Sequence, residues 1–247
     1  MSIRPVKRLI ESQPTIEGAG VRLRRGFGFG DTADFDPFLL FDDFRGDRPE
    51  DYRAGFPWHP HRGIETITYV LAGTVDHADS LGNAGTIAAG DVQWMTAGSG
   101  IIHQEMPKGD PDGRMHGFQL WANLPAALKM TAPRYQEVVS ADIPEVTDDD
   151  GTAVRIICGD FWGARGPVDG IAAEPRYLDV SCRRCSGRPC RWSARATHSR
   201  TCSQGQAGSA TPPSRWRCRR WRQVGPRPRS PSGSATAHWS CSTAVTS

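Results

Sequence analysis

Two pairs of residues in this chain have the types and the spacing of a metal site. His59 and His61 flank a proline, and further along His103 and Glu105 flank a glutamine. Residues i and i+2 of a β-strand point to the same face, so two neighbouring strands would direct three imidazoles and one carboxylate at one point. This donor set suits Fe(II), Mn, Ni, Cu, Co or Zn, and open coordination positions favour a catalytic metal over a structural one.

A single His-x-His pair also has a plainer explanation, because such pairs occur on surfaces and in hydrogen-bonded cores. The second pair, His103 and Glu105, repeats the spacing among glycine-rich turns. The repetition favours a metal site with four ligands: His59, His61, His103 and Glu105.

The residues around these pairs have the pattern of an antiparallel β-protein. Short runs rich in Val, Ile, Thr and aromatic residues alternate with Gly, Pro and Asp. Their close spacing predicts an all-β sandwich or small barrel, with one helical turn near residues 126–130. The predicted strands cover residues 65–71, 74–78, 85–88, 92–95, 101–106 and 117–122.

The composition of the 247-residue chain changes near Ser181. Residues 1–180 carry 17 of the 30 Lys and Arg and all 27 Asp and Glu, a net charge of −10, whereas residues 181–247 carry 13 Arg and no acid. Val224 and Val245 are the only aliphatic residues larger than Ala in this tail. Such a segment buries too little apolar surface to offset the entropy of ordering its backbone, so we predict disorder over residues 181–247.

The tail holds six of the seven cysteines, and three functions for it stay open. Cys182 and Cys185 have the spacing of half a zinc knuckle, but no second pair follows. A disulfide framework is disfavoured if the protein is cytoplasmic. Arg with interleaved Trp would bind nucleic acid electrostatically, as an incidental property.

The N-terminus lacks the apolar core of a secretory signal, and no stretch has the roughly 20 apolar residues that span a bilayer. We therefore expect a cytoplasmic protein with reduced cysteines and no membrane partner.

Four segments carry a resemblance to a known family. Residues 56–66 (FPWHPHRGIET) resemble the first metal motif of the pirin family, within the cupin superfamily, and residues 90–105 (GDVQWMTAGSGIIHQE) resemble the second. Residues 116–125 (HGFQLWANLP) resemble the strand that follows, and residues 36–44 also match. The resemblance covers roughly residues 5–180.

This resemblance implies an all-β, cupin-type double-stranded β-helix (jelly-roll) barrel that binds Fe(II) through His59, His61, His103 and Glu105. It implies a metal-binding barrel over residues 1–140, and a linker with the start of a second cupin domain over residues 141–180. Residues 181–247 then form an aberrant tail.

Members of the family are described as quercetin 2,3-dioxygenases. The resemblance therefore implies cleavage of a flavonol-like aromatic substrate with O2, and Glu105 as the catalytic base. Other members are described as metal-dependent transcriptional coregulators or as partners of metabolic enzymes. A non-enzymatic, protein-binding function is thus the alternative.

Several residues near the motifs carry subsidiary expectations. Glu65 follows His61 by four residues, so on a regular strand it shares the face of His61. The resemblance to pirins implies that Glu65 supports the ligands rather than binding the metal. We expect His116 to be packed and hydrogen-bonded, and His77 to be exposed on a hairpin. Either the substrate pocket or the plain barrel core accounts for the apolar neighbours Phe56, Trp58, Trp94 and Met95.

The pirin-like pattern stops abruptly after residue 180. Residues 175–180 look like the first strand of a second barrel, and the Arg, Ser, Pro, Gly, Cys and Trp that follow are what GC-rich coding DNA yields out of frame. We therefore hypothesise a frameshift close to codon 181. Its consequence would be a truncated product, which need not be functional.

Overall fold

The computed structural model describes residues 8–149, 151–182, 197–202, 206–207, 218–219 and 240–246. These residues divide into two compact units. The first contains residues 8–143 and 166–174, and the second includes residues 144–165 and 175–182. Among the residues described, no helix combines the length and the apolar character that crossing a membrane requires.

The first unit is built almost entirely from β-strands. They are β1 (Gln13–Glu17), β2 (Val21–Phe27), β3 (Phe38–Asp43), β4 (Phe56–His61), β5 (Ile64–Ala72), β6 (Thr74–Asp79), β7 (Ala84–Ile87), β8 (Val92–Thr96), β9 (Ile101–Lys108), β10 (His116–Asn123) and β11 (Arg134–Val138). The helices are single turns: α1 (Thr32–Phe35), α2 (Pro49–Tyr52), and 3-10 turns at Phe29–Asp31, Ala126–Leu128 and Ser140–Asp142.

These strands form two antiparallel sheets. The seven-stranded sheet has the order β1-β2-β3-β10-β5-β8-β11, and the four-stranded sheet has the order β4-β9-β6-β7. Every strand predicted from the sequence in this region is present, and so is the helical turn near residue 126. Strands β1, β2, β3, β4 and β11 were not among the strand ranges predicted from hydrophobic runs.

The two faces of the seven-stranded sheet differ in the middle of β5 and β10, where one face is apolar and the other polar. Ile67, Tyr69, Phe118 and Leu120 lie on the apolar face, and each is at most 1% exposed. Because side chains alternate along a strand, Thr66, Thr68 and Gln119 lie on the other face. That face meets the four-stranded sheet, since Thr68 hydrogen-bonds to Glu105 of β9.

A glycine turn between β8 and β9 starts the second metal-motif strand. Gly98 has φ +51°, and a Cβ added there would lie 2.1 Å from the carbonyl oxygen of Thr131. Glycine alone fits both restrictions. The amide of Gly63, in the turn after β4, donates to the carbonyl oxygen of Gly98 over 2.8 Å. The turns that adjoin the two histidine strands are therefore joined to each other.

The second unit contains a sheet of its own with the order β12-β13-β16-β20-β17. Val154, Ile156, Leu178 and Val180 form its apolar core. The strand predicted at residues 175–180 is confirmed as β16. The strands are β12 (Glu145–Thr147), β13 (Thr152–Cys158), β14 (Asp160–Phe161), β15 (Ala164–Arg165), β16 (Arg176–Cys182), β17 (Thr197–Cys202), β18 (Gln206–Ala207), β19 (Cys218–Arg219) and β20 (Ser240–Thr246).

The predicted disorder of residues 181–247 falls for the greater part outside the described residues. Within the described part of this tail, β20 pairs with β16 and with β17.

Candidate metal centre

Strands β4 and β9 pair so that the predicted histidine ligands meet. His59 lies directly opposite His103, and His61 lies opposite Ile101. The ring centroids are 4.4 Å apart for His59 and His103, 4.7 Å for His59 and His61, and 4.9 Å for His61 and His103. One ring nitrogen from each of the three lies within 4.8 Å of the others. The structure thus brings these three residues together in a geometry that could hold one metal ion.

Burial keeps two of these imidazoles neutral. Burial, reinforced by the neighbouring histidines, lowers the pKa of His61 and of His103 to about 3 in each case. Desolvation disfavours the charged imidazolium. Neutral imidazole is the form that binds a metal ion, so no proton has to leave His61 or His103 at neutral pH.

The hydrogen bonds of the cluster also fit a metal ion. Within the described residues, both ring nitrogens of buried His103 are without a hydrogen-bond partner. A buried polar group without a partner lowers the free energy of unfolding by roughly 1–3 kcal/mol, which coordination of a metal ion would offset. Nδ1 of His59 lies 2.8 Å from the carbonyl oxygen of Pro57, so it carries the hydrogen and leaves Nε2 to bind a metal.

Glu105 lies on the same face of β9 as His103 but does not join the three-histidine cluster. Alternate residues of β9 are buried, and Glu105 is 6% exposed. Its Oε1 accepts a hydrogen bond of 2.8 Å from the hydroxyl of Thr68. The carboxylate is therefore tied to the opposite sheet, and its role as the fourth ligand stays a prediction.

His77 is not exposed, contrary to the expectation from the sequence. It lies in β6 directly opposite Glu105 of β9 and is 5% exposed. Its Nε2 is 2.9 Å from Oε1 of Glu137. The expectation was wrong because β6 continues for six residues, and its alternation turns residues 75, 77 and 79 inward.

Glu65 does not share a strand face with His61. The strand of His61 ends there and a new strand, β5, begins at Ile64. Glu65 accepts a hydrogen bond of 2.8 Å from the hydroxyl of Thr96. It thus lies on the face opposite to Thr68, away from Glu105. Burial raises its pKa, although the hydrogen bond from Thr96 opposes the shift.

His116 is packed as expected, but its Nε2 has no hydrogen-bond partner among the residues that the structure describes. Its ring lies edge-on to Phe118 with centroids 5.2 Å apart, and its Nε2 is 3.8 Å from Oδ1 of Asp43. That distance is too long for a hydrogen bond. Burial lowers the pKa of His116 to about 4.

The four apolar neighbours of the motifs have different environments. Trp94 and Met95 are fully buried, and Met95 packs in a cluster with Ala97 and Ile101. Phe56 packs against a second core cluster, whereas Trp58 is 54% exposed. The core explanation therefore holds for Trp94 and Met95.

Sequence reasoning missed residues of the seven-stranded sheet that approach the histidines and Glu105. The ring of Trp121 lies edge-on to His61 at 5.0 Å, and Thr68 bonds to Glu105. Both residues belong to strands that alternate between polar and apolar faces, which was the only signal in the sequence. The possible zinc ligand Cys185 and most of the Arg-rich tail lie outside the described residues.

Comparison with known proteins agrees with this fold. Residues 20–122 match the Pirin family model. A pirin-like protein of Caulobacter vibrioides is 50% identical over 182 residues, 73% of this chain and 66% of that protein. Pirin of Homo sapiens is 45% identical over 168 residues, 68% of this chain and 56% of that protein. The chain thus spans less than two thirds of the length of these relatives.

A solved structure of similar architecture is quercetin 2,3-dioxygenase from Acinetobacter baumannii. It is 25% identical, with a TM-score of 0.71, and the match covers 98% of this chain and 87% of that one. The predicted all-β, cupin-type fold is therefore confirmed. The chain carries a pirin domain in residues 20–122 and has pirins among its homologues.

Proposed function

We propose that this chain is a metal-dependent oxygenase of the quercetin 2,3-dioxygenase type, with Fe(II) held by His59, His61, His103 and Glu105. The observation that carries the proposal is the cluster of three imidazoles, of which His61 and His103 are buried with their pKa lowered to about 3. The structural similarity to a quercetin 2,3-dioxygenase supports it. Mn, Ni, Cu, Co and Zn suit the same donors, and the three histidines by themselves do not select among them.

The bound metal would supply Lewis acidity and a template for the substrate and O2. The protein residues then have separate tasks. The three histidines hold the ion, and the lowered pKa of His61 and of His103 lets these two bind it at neutral pH without releasing protons. Trp121, edge-on to His61, offers an aromatic surface beside the histidine cluster for a planar substrate.

Glu105 would act as the base of the reaction. A flavonol reacts with O2 as its 3-oxyanion, so the 3-hydroxyl proton must move to an acceptor. Glu105 is a buried carboxylate on the strand face of His103 and can hold that proton on its oxygen. Overall, one flavonol and one O2 would yield the ring-opened ester and one carbon monoxide, which balances all atoms.

Oxygen consumption tests this proposal. Fe(II)-loaded protein should take up O2 and release carbon monoxide when given quercetin, and His59→Ala and Glu105→Ala should abolish both. Glu65→Gln is the control, because Glu65 is also a buried glutamate but faces away from Glu105. A fully metallated protein that turns over no quercetin would overturn the enzymatic proposal.

That negative outcome would favour the competing function, a metal-dependent, non-enzymatic protein-binding role. This candidate is supported by relatives whose names include no enzymatic activity, such as the 45% identical human pirin. Loss of partner binding in His59→Ala would then be the corresponding test.

We also propose that residues 181–247 result from a frameshift close to codon 181. The change from 27 acidic residues before this point to none after it supports the proposal, and so does the 182-residue extent of the match to the Caulobacter vibrioides relative. Resequencing the gene there should show an adjacent frame that encodes β-strand sequence. If neither alternative frame does, the proposal fails.

A further inference from the structure

Two residues of the seven-stranded sheet, Thr68 and Gln119, form a hydrogen-bonded group with Glu105. The proposed reaction assigns no role to either of them. The hydroxyl of Thr68 in β5 lies 2.8 Å from Oε1 of Glu105 in β9. The same hydroxyl lies 2.8 Å from Oε1 of the side-chain amide of Gln119 in β10. Thr68 and Gln119 are direct cross-strand partners, so the register of β5 and β10 places them side by side. Thr68 is 2% exposed and Glu105 is 6% exposed.

The number of available hydrogens determines which of these side chains donates and which accepts. A threonine hydroxyl has one hydrogen and cannot donate to both neighbours. The carboxylate of Glu105 is the stronger acceptor, because hydrogen bonds to an ionised group are shorter and stronger. The amide of Gln119 satisfies the hydroxyl oxygen when its NH2 group, rather than its oxygen, faces Thr68. The three side chains then form one chain of donors from Gln119 to Thr68 to Glu105.

We infer that Thr68, itself oriented by Gln119, is a positioning residue that fixes the carboxylate of Glu105 before metal and substrate bind. A free glutamate side chain samples many rotamers, and ordering it costs conformational entropy. The hydrogen bond from a rigid central strand offsets this cost during folding, so the carboxylate already has its final orientation in the metal-free protein. The inference rests on the proposed role of Glu105 at the metal.

The seven-stranded sheet therefore contributes to a site whose proposed ligands all belong to the four-stranded sheet. His59, His61, His103 and Glu105 lie on β4 and β9, whereas Thr68 and Gln119 lie on β5 and β10. Partners that orient metal ligands typically contribute about 10- to 100-fold in metal affinity. Removing the Thr68 hydroxyl should weaken the site by that factor.

The test is a titration of metal-free protein with Co2+, followed by its visible absorption. Thr68→Val, which keeps the shape and removes the hydroxyl, should bind Co2+ about 10- to 100-fold more weakly and with an altered spectrum. Thr68→Ser keeps the hydroxyl and should restore both. Thr96→Val is the matched control, because it removes an equally long 2.8 Å hydroxyl-to-glutamate bond, to Glu65. It should leave Co2+ binding unchanged.

A double-mutant cycle shows whether Thr68 acts through Glu105. In a Glu105→Ala background, Thr68→Val should cause no further loss of Co2+ affinity. Unchanged Co2+ binding by Thr68→Val overturns the inference. So does a loss of Co2+ affinity from Thr68→Val that is as large in the Glu105→Ala background as in the wild-type protein. A loss in Thr96→Val equal to that in Thr68→Val also overturns it. In these cases the wild-type metal centre still stands. If the wild-type protein itself binds no Co2+, the proposed centre fails first and the inference with it.

Gln119→Met provides the test if Thr68→Val does not fold. Methionine has nearly the shape of glutamine but lacks the amide donor that the Thr68 oxygen accepts. We expect Co2+ affinity to fall about tenfold, as for other residues that orient a ligand. Affinity equal to that of the wild-type protein would overturn the inference.

Discussion

His59 and His103 face each other directly across the antiparallel pair of β4 and β9, with ring centroids 4.4 Å apart. Like charges at directly opposed positions destabilise a sheet, so this arrangement disfavours two imidazolium ions. It suits two neutral rings that share a cation. The register of β4 and β9 therefore affects the charge of the two histidines that it places opposite each other.

We predict that His103→Leu separates metal binding from the stability of the metal-free protein. Both ring nitrogens of His103 are buried without a hydrogen-bond partner in the described structure. An apolar side chain removes that cost, so the free energy of unfolding of metal-free protein should rise by about 1 kcal/mol. Metal binding should be lost. Urea unfolding after treatment with chelator measures the first effect, and metal analysis the second. A large decrease in stability would contradict this prediction.

We predict that the metal-free protein loses stability in acid through its buried histidines. The folded-state pKa of His61 and of His103 is lowered to about 3, from 6.5, because both are buried. Between these values the unfolded chain binds more protons than the folded one, so the free energy of unfolding must fall as the pH falls from 6.5 toward 3. Urea unfolding at a series of pH values tests this. The variant His61→Leu/His103→Leu should show a shallower fall, and an equally steep one would contradict the assignment.

The two buried glutamates should respond differently to the same substitution. Glu105→Gln should weaken metal binding, whereas Glu65→Gln should leave it unchanged, since Glu65 bonds to Thr96 on the other face of the sheet. Metal titration of both variants gives the comparison. Equal losses in the two would show that the strand faces are assigned wrongly.

Glu65→Gln should also change how stability depends on pH. Burial raises the folded-state pKa of Glu65, so its contribution is fully present below its ordinary pKa of 4.5 and is lost as the pH rises through the folded value. The variant has no such loss. Its free energy of unfolding, relative to the wild-type protein, should therefore increase as the pH rises from acid to neutral.

Two glycine substitutions should differ in cost because only one meets a neighbouring backbone. Gly98 and Gly82 both have positive φ, +51° and +89°, which costs an alanine about 1–2 kcal/mol. At Gly82 an added Cβ has nothing within 4 Å, whereas at Gly98 it lies 2.1 Å from the Thr131 carbonyl oxygen. Gly98→Ala should therefore destabilise clearly more than Gly82→Ala. Thermal or urea unfolding measures the stability of both variants. An equal loss of stability in the two would contradict the prediction.

The sequence predicted β9, the strand that carries His103 and Glu105, because its signal is local. In β9, Ile101, His103 and Glu105 are buried while Ile102 is 48% exposed, so the spacing of two residues places His103 and Glu105 on one buried face. The glycines at residues 98 and 100 indicated the turn that starts this strand. The convergence of three histidines followed from two such strands being neighbours in one sheet.

The edge strands β1, β4 and β11, and β2 next to the edge, gave a weaker signal. They contain exposed or charged residues at several positions, such as Arg22 and Arg24 in β2 and Trp58 in β4. Hydrophobic periodicity is diluted where one side of a strand faces solvent or its length is short. Their pairing partners, not their composition, make them strands.

What the sequence determined by itself was the set of histidines that can share a metal ion, since spacing along a strand decides which side chains point the same way. Only the tertiary structure decided the surroundings of that set: that His77 points inward, that Glu65 lies on the opposite face, and that Thr68 and Gln119 hold Glu105. The physical reason is that these relations depend on where one strand ends and which strand lies across the barrel. Contacts between residues distant in sequence leave no periodic trace along the chain.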